Sequence, residues 1–454
     1  MSAASTKQSA VIVGLGKTGL SCARYLHALG WRLAITDTRA QPPELTRLRE
    51  TYPQIPVSLG GLDMRLLEEA TCVVASPGIS LSEPFFAEAR ARGLEIVGDI
   101  ELFARRALGA DAPVVGITGT NGKSTVTTLV GRMAERAGIK VRVGGNLGEP
   151  ALDLLTASRG ESQATQLFVL ELSSYQLETT TSLNLRAATV LNVTPDHLDR
   201  YASVETYAQA KARIFARCDT AVINLDDPLV VAMPEPGQRT LSFSLRASIG
   251  ADYCCMMQDG QWHLARQSEP LMPVAAMKIK GLHNAANALA ALALGEALGF
   301  PLRPMIEELA SFPGLPHRSQ WVADVAGVTY INDSKGTNVG ATLAAVSGMQ
   351  GPLIMIAGGD GKNQDFAPLA AAFRGKVRHT VLIGRDAPAI ARALQGICTI
   401  ETCGTLEEAV RAAARAAKPG DTVLLSPACA SLDMFRDYTH RGTVFAQAVK
   451  ELAA

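Results

Sequence analysis

The sequence predicts an α/β protein of three domains, and three observations lead to that prediction. Short apolar runs rich in β-branched residues alternate with longer helical patterns through most of the 454 residues, as parallel α/β sheets require. Changes in this pattern divide the chain into residues 1–108, 109–314 and 315–454, and each part is long enough to bury a core. Glycine-rich turns in the first and second parts each join a strand-like run to a helix-like one, which is typical of phosphate-binding sites.

The strand-like runs mark the candidate elements of each part. Those of the first part are "AVIVGLG", "RLAITDT", "CVVASPG" and "LEIVGD". A charged helical segment, "IELFARRALGADAP", leads to the second part, whose runs are "PVVGITGT", "QLFVLELSS", "ATVLNVTPDH" and "TAVINLDDP". Irregular β-like segments from Leu241 to Lys280 predict a small antiparallel portion before an Ala-rich helix, and "SFPGLPHRSQ" has the prolines and glycine of a linker. The third part contains "VTYINDS", "PLIMIAGG", "HTVLIG" and "DTVLLSPA".

Composition limits the possible partners. The 43 basic and 43 acidic side chains cancel, which argues against nucleic acid or an anionic membrane as the main partner. The eight cysteines show no metal-type pairing, which suits reduced thiols in a cytoplasm. The start "MSAASTKQSA" lacks the apolar core of a signal peptide, and "NAANALAALALGEALGF" is interrupted by Asn and Glu, which favours a buried helix. We therefore expect a cytoplasmic monomer without a membrane span.

The first part contains the spacing G-x-G-x-x-G. In "VIVGLGKTGLSCARYL" the glycines are Gly14, Gly16 and Gly19, between a strand-like and a helical run, and Asp37 follows roughly 20 residues later. Such glycines let the backbone approach a diphosphate, whose charge the helix N-terminus favours. The functional interpretation is a bound dinucleotide or nucleotide diphosphate. The alternative is a tight turn without a ligand, with Asp37 as an ordinary turn residue.

The second glycine loop, in "VVGITGTNGKSTVTTL", departs from the standard phosphate loop. That pattern places a glycine and four further residues before Gly-Lys-Ser, but Ile117 stands at the glycine position, between Gly116 and Gly119. We still predict a triphosphate site, in which Lys123 reaches the β- and γ-phosphates and the Ser124 hydroxyl holds Mg²⁺. A glycine-rich turn with a surface lysine is the alternative. Because a simple dehydrogenase has no use for this loop, we expect an ATP-consuming enzyme that acts on a nucleotide-linked substrate.

A second metal site is a further hypothesis. Glu171 ends the run "LFVLELSS" and His197 lies in "LNVTPDHLDR", and both are predicted at strand ends that open toward a ligand crevice. They could share a second Mg²⁺, although histidine is not the usual ligand of a hard metal. The alternatives are a carboxylate that caps a neighbouring helix and a histidine in the core or in a turn. Lys211, in "YAQAKARIF", is on position alone an ordinary solvated lysine of a helix.

Several other polar residues stay open between a functional and a structural role. Asn284 and Asn287 could bind a base or phosphates, or cap the Ala-rich helix, and for Asn284 we favour the cap. Four charged residues are predicted in loops around strand ends of the third part, where ordinary surface charge is the alternative. They are Arg318, Asp333, Lys335 and Lys362.

Taken together, these segments resemble the Mur ligases of peptidoglycan synthesis, and among them the glutamate-adding type. The resemblance covers nearly the whole chain, in the order "GLGKTG", "DTR", "SPG", "GTNGKS", "LELSSYQLE", "NVTPDHLDRY", "AKARIF", "HNAANA", "PHR", "NDSKGTN", "GGDGK" and "SPACASLDMF". The Asp-Asn-Pro-Arg signature of the diaminoacid-adding enzymes is missing, and "SPACASLDMF" looks like the glutamate-adding type. Two positions depart from the pattern, since Tyr438 stands where such enzymes often carry Phe and Ser124 where many carry Thr.

The resemblance implies a Rossmann-like N-terminal domain, a central P-loop ATPase-like domain and a Rossmann-like C-terminal domain that helps bind ATP and D-glutamate. The implied contacts to UDP-N-acetylmuramoyl-L-alanine are Gly14, Gly16, Lys17, Thr18, Asp37, Thr38, Arg39, Ser76, Gly78 and Asn146. The implied contacts to ATP are Gly119, Thr120, Asn121, Gly122, Lys123, Ser124, Thr125, Asn287, Arg318 and Asp333. The implied contacts to D-glutamate are Thr337, Lys362, Ser431, Leu432 and Tyr438.

The implied cofactors are ATP, two Mg²⁺ ions and a CO₂-derived carbamate on Lys211. The carbamate turns a cation into a carboxylate-like ligand, which would share one metal with Glu171 and His197 while Ser124 holds the other. The implied reaction is an ATP-dependent amide ligation through an acyl phosphate, with closure of the C-terminal domain to exclude water. The implied catalytic residues are Lys123, His197, Lys211 and Lys335.

Two alternative functions stay open. Another amide ligase of the superfamily, such as a folylpolyglutamate synthase-like enzyme, fits the central loop, but the glycine loop of the first part weighs against it. A non-catalytic P-loop nucleotide switch would leave the first and third parts without a role. ADP release measured with and without D-glutamate separates these alternatives.

Overall fold

A computed structural model of the chain describes residues 8–107, 112–157, 164–194, 196–197, 200–349, 351–362 and 364–452. The described residues form three β-sheets with helices between the strands. They fall into two compact units, of which the first comprises Met1–Cys254 with Leu289–Met305, and the second Cys255–Ala288 with Ile306–Ala454.

The first unit starts with a five-stranded sheet. Its strands are β1 Ser9–Val13, β2 Arg32–Asp37, β3 Val57–Leu59, β4 Cys72–Ala75 and β5 Glu95–Val97. The helices are α1 Lys17–Ala28, α2 Leu45–Thr51, α3 Pro84–Ala91 and α4 Asp99–Ala107. The strands are parallel in the order β3-β2-β1-β4-β5. Because the order reverses at β1, the carboxyl ends of β1 and β4 flank the crevice in which doubly wound sheets bind ligands.

A second sheet, which belongs to the same unit up to Cys254, carries the central glycine loop. Its strands are β6 Val114–Thr118, β7 Val141–Gly145, β8 Leu167–Glu171, β9 Ala187–Val190, β10 Ala221–Asn224, β11 Thr240–Ser244 and β12 Tyr253–Gln258. The helices are α5 Lys123–Arg136, α6 Ala151–Ala157, α7 Ser174–Glu178, α8 Val204–Ala212 and α9 Pro228–Val231. The parallel order is β12-β11-β10-β9-β6-β8-β7. The loop after β6 therefore lies between the ends of β8 and β9.

Helix α4 fastens the first sheet to the second. The Phe103 ring packs edge-on against Phe168 of β8, with 5.4 Å between ring centroids. The buried Glu101 carboxylate accepts hydrogen bonds from the backbone N–H groups of Thr181 at 2.7 Å and Ser182 at 3.0 Å. Burial alone would raise the pKa of Glu101, but these bonds outweigh it and lower the pKa to about 2. The described part of the charged segment, up to Ala107, is therefore a helix packed in the core.

The second unit contains a hairpin and the third sheet. Helices α10 Leu282–Ala297 and α11 Leu302–Ser311 have residues in both units. The strands are β13 Gln261–Arg266, β14 Glu269–Pro273, β15 Gln320–Val325, β16 Val328–Asn332, β17 Leu353–Gly358, β18 Val377–Ile383, β19 Thr399–Thr402 and β20 Thr422–Leu425. The helices are α12 Val339–Gly348, α13 Ala367–Phe373, α14 Ala387–Ala393, α15 Leu406–Ala416 and α16 Tyr438–Leu452. The third sheet has the order β15-β16-β20-β17-β18-β19, parallel except for β15.

The fold confirms the predicted α/β class and corrects its details. The antiparallel portion expected from Leu241 to Lys280 is smaller than predicted, because β11 pairs in parallel with both β10 and β12, whereas β13 and β14 are antiparallel. The antiparallel β15 was not expected in a Rossmann-like domain, and β3, β7 and β19 were also missed. The Ala-rich segment is the buried helix α10, as predicted. The first domain boundary lies outside the described residues, and the residue limits of all three domains stay predictions.

Two expectations from composition can be compared with the structure. All eight cysteines carry free thiols, as their spacing predicted. Among the helices of the described residues, we find none with both the length and the apolar character needed to cross a membrane.

Candidate functional site

The central loop turns from β6 into α5 through two glycines with positive φ. Gly119 has a φ of +146°, and Gly122, the residue before α5, has a φ of +85°, a region that other residues adopt only with strain. A Cβ atom on Gly119 would also lie 3.0 Å from the Cβ of Leu191. The loop therefore requires glycine at positions 119 and 122. It does not require glycine at Ile117, the position of the first glycine in the standard pattern.

Lys123, the first residue of α5, folds its side chain back over this loop. Its Nζ donates to the carbonyl oxygens of Gly119 at 2.8 Å and Thr120 at 2.9 Å. The ammonium group thus lies at the N-terminus of α5, where backbone N–H groups and the helix dipole favour an anion. This arrangement suits a nucleotide phosphate. The individual ATP contacts assigned to the loop through Thr125 stay predictions.

The loop after β9 holds the glycine loop through Asn192, which the sequence analysis did not single out. The Asn192 side chain accepts from the Asn121 N–H at 2.8 Å and donates to the Asn121 carbonyl at 3.1 Å. Its backbone carbonyl accepts from the Thr120 N–H at 2.9 Å. Nothing in the residue pattern indicated this role, because the contact joins segments that are 71 residues apart.

Glu171 sits at the end of β8, as predicted, and its carboxylate is buried. One oxygen accepts from the Ser124 hydroxyl at 2.7 Å, and the other accepts from the Asn146 side-chain amide at 2.6 Å. A Cβ on Gly145, whose φ is +99°, would lie 2.5 Å from the Glu171 carbonyl oxygen, so glycine lets the two strands approach. The Glu171 carboxylate thus binds the side chains of Ser124 and Asn146, which differs from the predicted alternative of a helix cap. Asn146, which the resemblance assigns to the UDP substrate, lies at this carboxylate.

Lys211 is buried, with 1% of its surface exposed, so the interpretation as a solvated helix lysine is wrong. Its Nζ donates to the Gly119 carbonyl at 3.0 Å and lies 4.4 Å from the centre of the Tyr207 ring. Burial, reinforced by the nearby charge of Lys123, lowers the pKa of Lys211 to about 7. A substantial fraction of this amine is therefore neutral near pH 7, the form that can react with CO₂.

His197 does not lie at a strand end, which corrects the prediction. Strand β9 ends at Val190, and His197 follows in a loop with a φ of +53°. Its ring lies 5.1 Å from the Tyr175 ring and 6.0 Å from the Tyr207 ring, measured between centroids. Its side chain is 43% exposed. The histidine is thus held beside the ring that contacts Lys211 and keeps an accessible face.

The donor set around the loop fits Mg²⁺ in part. The Ser124 hydroxyl and the Glu171 carboxylate are the oxygen donors that this ion prefers. Within the described residues, no three side chains of His, Cys, Asp and Glu come together as a metal site. A protonated or neutral amine on Lys211 is a poor ligand for a hard cation, whereas a carbamate on the same nitrogen would present carboxylate-like oxygens. The second metal site stays a prediction, and it would depend on that modification.

The first glycine loop is built to pack tightly. Gly14 has a φ of +97°, and a Cβ on Gly19 would lie 2.0 Å from the Gly14 carbonyl oxygen. Ser76, in the loop after β4, donates from its hydroxyl to the same carbonyl at 2.9 Å. Gly16 precedes α1, whose first residues are Lys17 and Thr18. The loops after β1 and β4 therefore meet at the crevice that strand order predicts.

Asp37 is the fully buried last residue of β2 and stabilises this loop. Its carboxylate accepts from the Leu15 N–H at 2.6 Å and pairs with the Arg39 guanidinium at 2.7 Å. Burial would raise the pKa of Asp37, but the bonds from Arg39 and Leu15 lower it overall. The half-exposed Arg39 is thus the group that faces outward. Direct substrate contacts of Asp37, Thr38, Arg39, Ser76 and Gly78 stay predictions.

In the second unit, Asp333 follows β16 and is buried. Its carboxylate accepts from the Ser426 hydroxyl at 2.8 Å and from the Ser319 N–H at 3.0 Å, and burial raises the pKa of Asp333 to about 6. Lys335 lies with its Nζ 5.4 Å from the centre of the Tyr438 ring. The predicted roles of Arg318, Asp333 and Lys335 in nucleotide binding and catalysis remain predictions.

A fully buried arginine, Arg441, supports these loops and was not singled out in the sequence. It donates to the Ser334 carbonyl at 2.8 Å, to the Ser334 hydroxyl at 3.0 Å and to the Cys429 carbonyl at 3.1 Å. Burial lowers the pKa of Arg441 to about 10. The arginine therefore ties the loop after β16 to the loop after β20, which carries Ser431.

The loops that carry the predicted D-glutamate contacts also meet within the second unit. A backbone bridge joins Asp360 to Ala430, which brings together the loop of Lys362 and the loop of Ser431. Lys362 has a φ of +50°, Ser431 is buried and Leu432 is 66% exposed. Tyr438 begins α16. The contacts of these residues and of Thr337 with an amino acid stay predictions.

Asn287 and Asn284 lie within α10 and bind each other. The Asn287 amide donates to the Asn284 side-chain oxygen at 3.2 Å, and the Asn284 amide donates to the Lys280 carbonyl at 2.8 Å. Asn284 is the third residue of α10 and therefore does not cap its N-terminus. The prediction that it is a cap is wrong. A base or phosphate contact of Asn287 stays a prediction.

Three protein-family models match the chain in order. They describe a Mur ligase MurD-like N-terminal domain at residues 8–98, a Mur ligase middle domain at residues 117–295 and a Mur ligase glutamate ligase domain at residues 317–429. Similar curated proteins carry the name UDP-N-acetylmuramoylalanine–D-glutamate ligase. That of Methylobacillus flagellatus is 52% identical over 445 residues, which cover 97% of this chain and 96% of the relative. That of Methylococcus capsulatus is 49% identical over 443 residues, covering 98% and 95%.

Solved structures show the same fold at low sequence identity. The UDP-N-acetylmuramate-alanine ligase MurC from Thermotoga maritima has a TM-score of 0.58 and 17% identity, covering 98% of this chain and 99% of its own. A pseudomurein peptide ligase type C from Methanothermus fervidus has a TM-score of 0.55 and 18% identity, covering 98% and 100%.

Proposed function

The chain belongs to the Mur ligase family, and from that premise we propose that it adds D-glutamate to UDP-N-acetylmuramoyl-L-alanine with ATP, in the synthesis of peptidoglycan precursors. The structural observation that supports this proposal most is the buried pair of Ser124 and Glu171 beside the glycine loop, with the buried Lys211 amine on a carbonyl of the same loop. The relatives that carry the ligase name match nearly the full chain at about half identity. The proposed place of action is the cytoplasm, where the eight free thiols would stay reduced.

Phosphoryl transfer is the first proposed step. A carboxylate oxygen of the UDP substrate attacks the γ-phosphorus of ATP, the bond to the bridging oxygen breaks, and ADP leaves an acyl phosphate behind. Lys123 would bring positive charge to the phosphates at the N-terminus of α5. Mg²⁺, when bound, lowers the repulsion between the two anions. Ser124 would hold this ion, and Asn146 would keep the neighbouring Glu171 carboxylate in place for the second ion.

Lys211 would contribute as a carbamate. Its neutral amine forms a bond to the carbon of CO₂ and releases one proton, which leaves a carboxylate-like group on the side chain. Lowering of the pKa by burial supports this step because it makes the neutral amine available near pH 7. The carbamate, Glu171 and His197 would then form the second Mg²⁺ site.

Amide formation is the second proposed step. The neutral amine of D-glutamate attacks the acyl carbon, the tetrahedral intermediate expels phosphate, and the nitrogen loses a proton. His197, with its accessible ring face, would accept that proton. Thr337, Lys362, Ser431, Leu432 and Tyr438 would hold D-glutamate. Asn287, Arg318 and Asp333 would contact ATP, and Lys335 would assist the transfer.

The test is an assay of ADP and phosphate release by the full-length chain with ATP and Mg²⁺. We expect steady release that requires both UDP-N-acetylmuramoyl-L-alanine and D-glutamate, with one ADP for each amide formed, and loss of release in Lys123→Ala. Turnover with L-alanine or a diamino acid in place of D-glutamate would reassign the amino acid. Turnover on a folate substrate would support the folylpolyglutamate alternative, and ATP hydrolysis indifferent to both substrates would support a nucleotide switch.

A further inference from the structure

The Arg200 side chain contacts two separate segments of the first unit, the loop at Pro77 and helix α7. Its side chain is only 12% exposed, and one Nη donates to the Glu178 carboxylate at 2.9 Å. The other Nη donates to the backbone carbonyl of Pro77 at 3.3 Å. The guanidinium carbon lies 4.2 Å from the centre of the Tyr175 ring. A planar, permanently charged fork can satisfy all three partners at once, which a lysine ammonium cannot do with the same geometry.

The first segment that Arg200 contacts belongs to the substrate crevice. Pro77 lies between Ser76 and Gly78, both predicted to contact the UDP substrate, and Ser76 binds the Gly14 carbonyl of the first glycine loop. The position of the loop after β4 therefore depends in part on Arg200, which follows strand β9 of the second sheet.

The other contacts of Arg200 lead to the candidate metal site. The backbone N–H of Arg200 donates to the His197 carbonyl at 2.9 Å and so closes the turn in which His197 has positive φ. The Tyr175 ring under the guanidinium lies 5.1 Å from the His197 ring. Tyr201, whose hydroxyl donates to Glu178 at 2.5 Å, packs 5.2 Å from the Tyr207 ring.

We propose that Arg200 is a positioning residue that fixes the position of the substrate loop at Pro77 relative to His197. In this way it would determine where the substrate carboxylate lies relative to the metal and the phosphate. The inference rests on the proposed ligase function. The guanidinium is committed to Glu178, Pro77 and Tyr175, so Arg200 acts through these groups and does not itself touch the reacting atoms.

A displaced loop has a specific kinetic signature. Misplacing reacting groups by about 1 Å can cost on the order of a hundredfold in rate, whereas a general loss of stability lowers the amount of active enzyme for all substrates alike. Loss of the Arg200 contacts should therefore change kcat/KM for the UDP substrate, and leave the KM values for ATP and D-glutamate near those of the parent protein.

Arg213 offers a matched control, because its side chain also contacts α7. It donates to the carbonyl oxygens of Leu177 at 2.7 Å and Thr180 at 2.9 Å, at and just after the C-terminal end of α7. Like Arg200 it holds this helix, but its hydrogen bonds go to Leu177 and Thr180 and not to Pro77 or the His197 turn. Arg213→Gln thus removes a comparable structural support without uncoupling the substrate loop.

The experiment compares Arg200→Gln, Arg200→Lys, Glu178→Gln and Arg213→Gln as full-length proteins, by steady-state kinetics for each substrate and by thermal unfolding. We expect Arg200→Gln to lower kcat/KM for the UDP substrate about tenfold or more, Glu178→Gln to shift the same parameter, and Arg213→Gln to leave it within about twofold. Arg200→Lys should lower the same kcat/KM less than Arg200→Gln does. It serves as the test variant if the glutamine variant does not fold.

Three results would overturn the inference. One is an equal effect of Arg200→Gln and Arg213→Gln on kcat/KM at matched unfolding temperatures, which would mean support of α7 only. Another is an Arg200→Gln effect that Glu178→Gln does not share, which would indicate direct contact with the substrate. The third is wild-type kinetics in Arg200→Gln. Failure of the ligase proposal would look different, because the unmodified chain would then not release ADP in response to both substrates.

Discussion

The Ser124 hydroxyl donates a 2.7 Å hydrogen bond to the Glu171 carboxylate across 47 residues of chain. The two meet because β6 and β8 are hydrogen-bonded neighbours, so the loop after β6 and the last residue of β8 reach the same edge of the sheet. Asn146 holds the second oxygen of the carboxylate at 2.6 Å. Both oxygen donors are therefore oriented by the fold before any ion is bound.

Ser124→Ala should lower the affinity for Mg²⁺ without unfolding the protein. The substitution removes a hydroxyl donor and one partner of a buried carboxylate, and losses of this kind typically lower metal affinity roughly 10- to 100-fold. The measurement is the Mg²⁺ concentration for half-maximal ADP release at saturating substrates. Ser124→Thr, which keeps the hydroxyl, should stay near the parent value, and an alanine variant with the parent's Mg²⁺ curve would contradict the assignment.

Lys211→Ala should lose most activity and regain part of it when short carboxylic acids are added. The buried cavity left by the side chain can admit a small carboxylate, whose oxygens take the place of those of the carbamate. ADP release with increasing formate or acetate measures the rescue. Lys450→Ala, at an exposed position of α16, is the control and should neither lose activity nor respond to acids. Undiminished activity of Lys211→Ala would exclude a role as metal ligand.

Gly122→Ala should impair ATP use, whereas Gly138→Ala should not. Gly122 has a φ of +85° before α5, and Gly138 a φ of +80° after it, so a Cβ should cost about 1 kcal/mol of folding stability at either site. Only the first strained turn lies in the phosphate loop. We expect the KM for ATP to rise several-fold in Gly122→Ala but not in Gly138→Ala, while both variants show similar decreases in unfolding temperature. Equal KM values in the two variants would mean that the loop geometry is not needed for nucleotide binding.

The sequence allowed the strand ends and the glycine loops to be predicted because these depend on local pattern. Glu171 was placed at the end of a strand by the apolar run before it, and the structure confirms that position. The offset glycines still predict a phosphate loop, because glycine tolerates positive φ wherever the turn needs it. The order of motifs then indicated the family, which neither composition nor periodicity could have done.

Burial and long-range contacts could not be predicted in this way. Lys211 is one of several polar residues on a helix with weak amphipathic character, so its sequence gave no sign that tertiary packing covers it. Asn192 and Arg441 act on segments 71 and 107 residues away, and no local rule connects residues so far apart. The prediction for His197 was wrong because the strand-like run "ATVLNVTPDH" continues beyond Val190, where β9 ends.

Asp99 and Glu101, on the same helix α4, should make opposite contributions to stability as pH changes. Burial raises the pKa of Asp99 to about 6, and one of its oxygens has no hydrogen-bond partner while the other accepts from Gln176 at 2.9 Å. The folded state then binds more protons than the unfolded state between about pH 4 and 6. Stability is lost as pH rises through this window, and the loss persists at neutral pH.

Asp99→Asn should therefore stabilise the protein at pH 7.5 by about 1–3 kcal/mol, and the gain should become small near pH 4, where the aspartate is neutral in the folded state and about half neutral in the unfolded state. Glu101→Gln is the control with the reverse sign. Its lowered pKa means that the carboxylate contributes stability above about pH 4.5, which is lost as pH falls toward 2, so the glutamine variant should be destabilised at pH 7.5. Thermal unfolding of both variants from pH 4 to 8 measures the difference. A destabilised Asp99→Asn at neutral pH would show that the buried aspartate is charged and paired, contrary to the geometry.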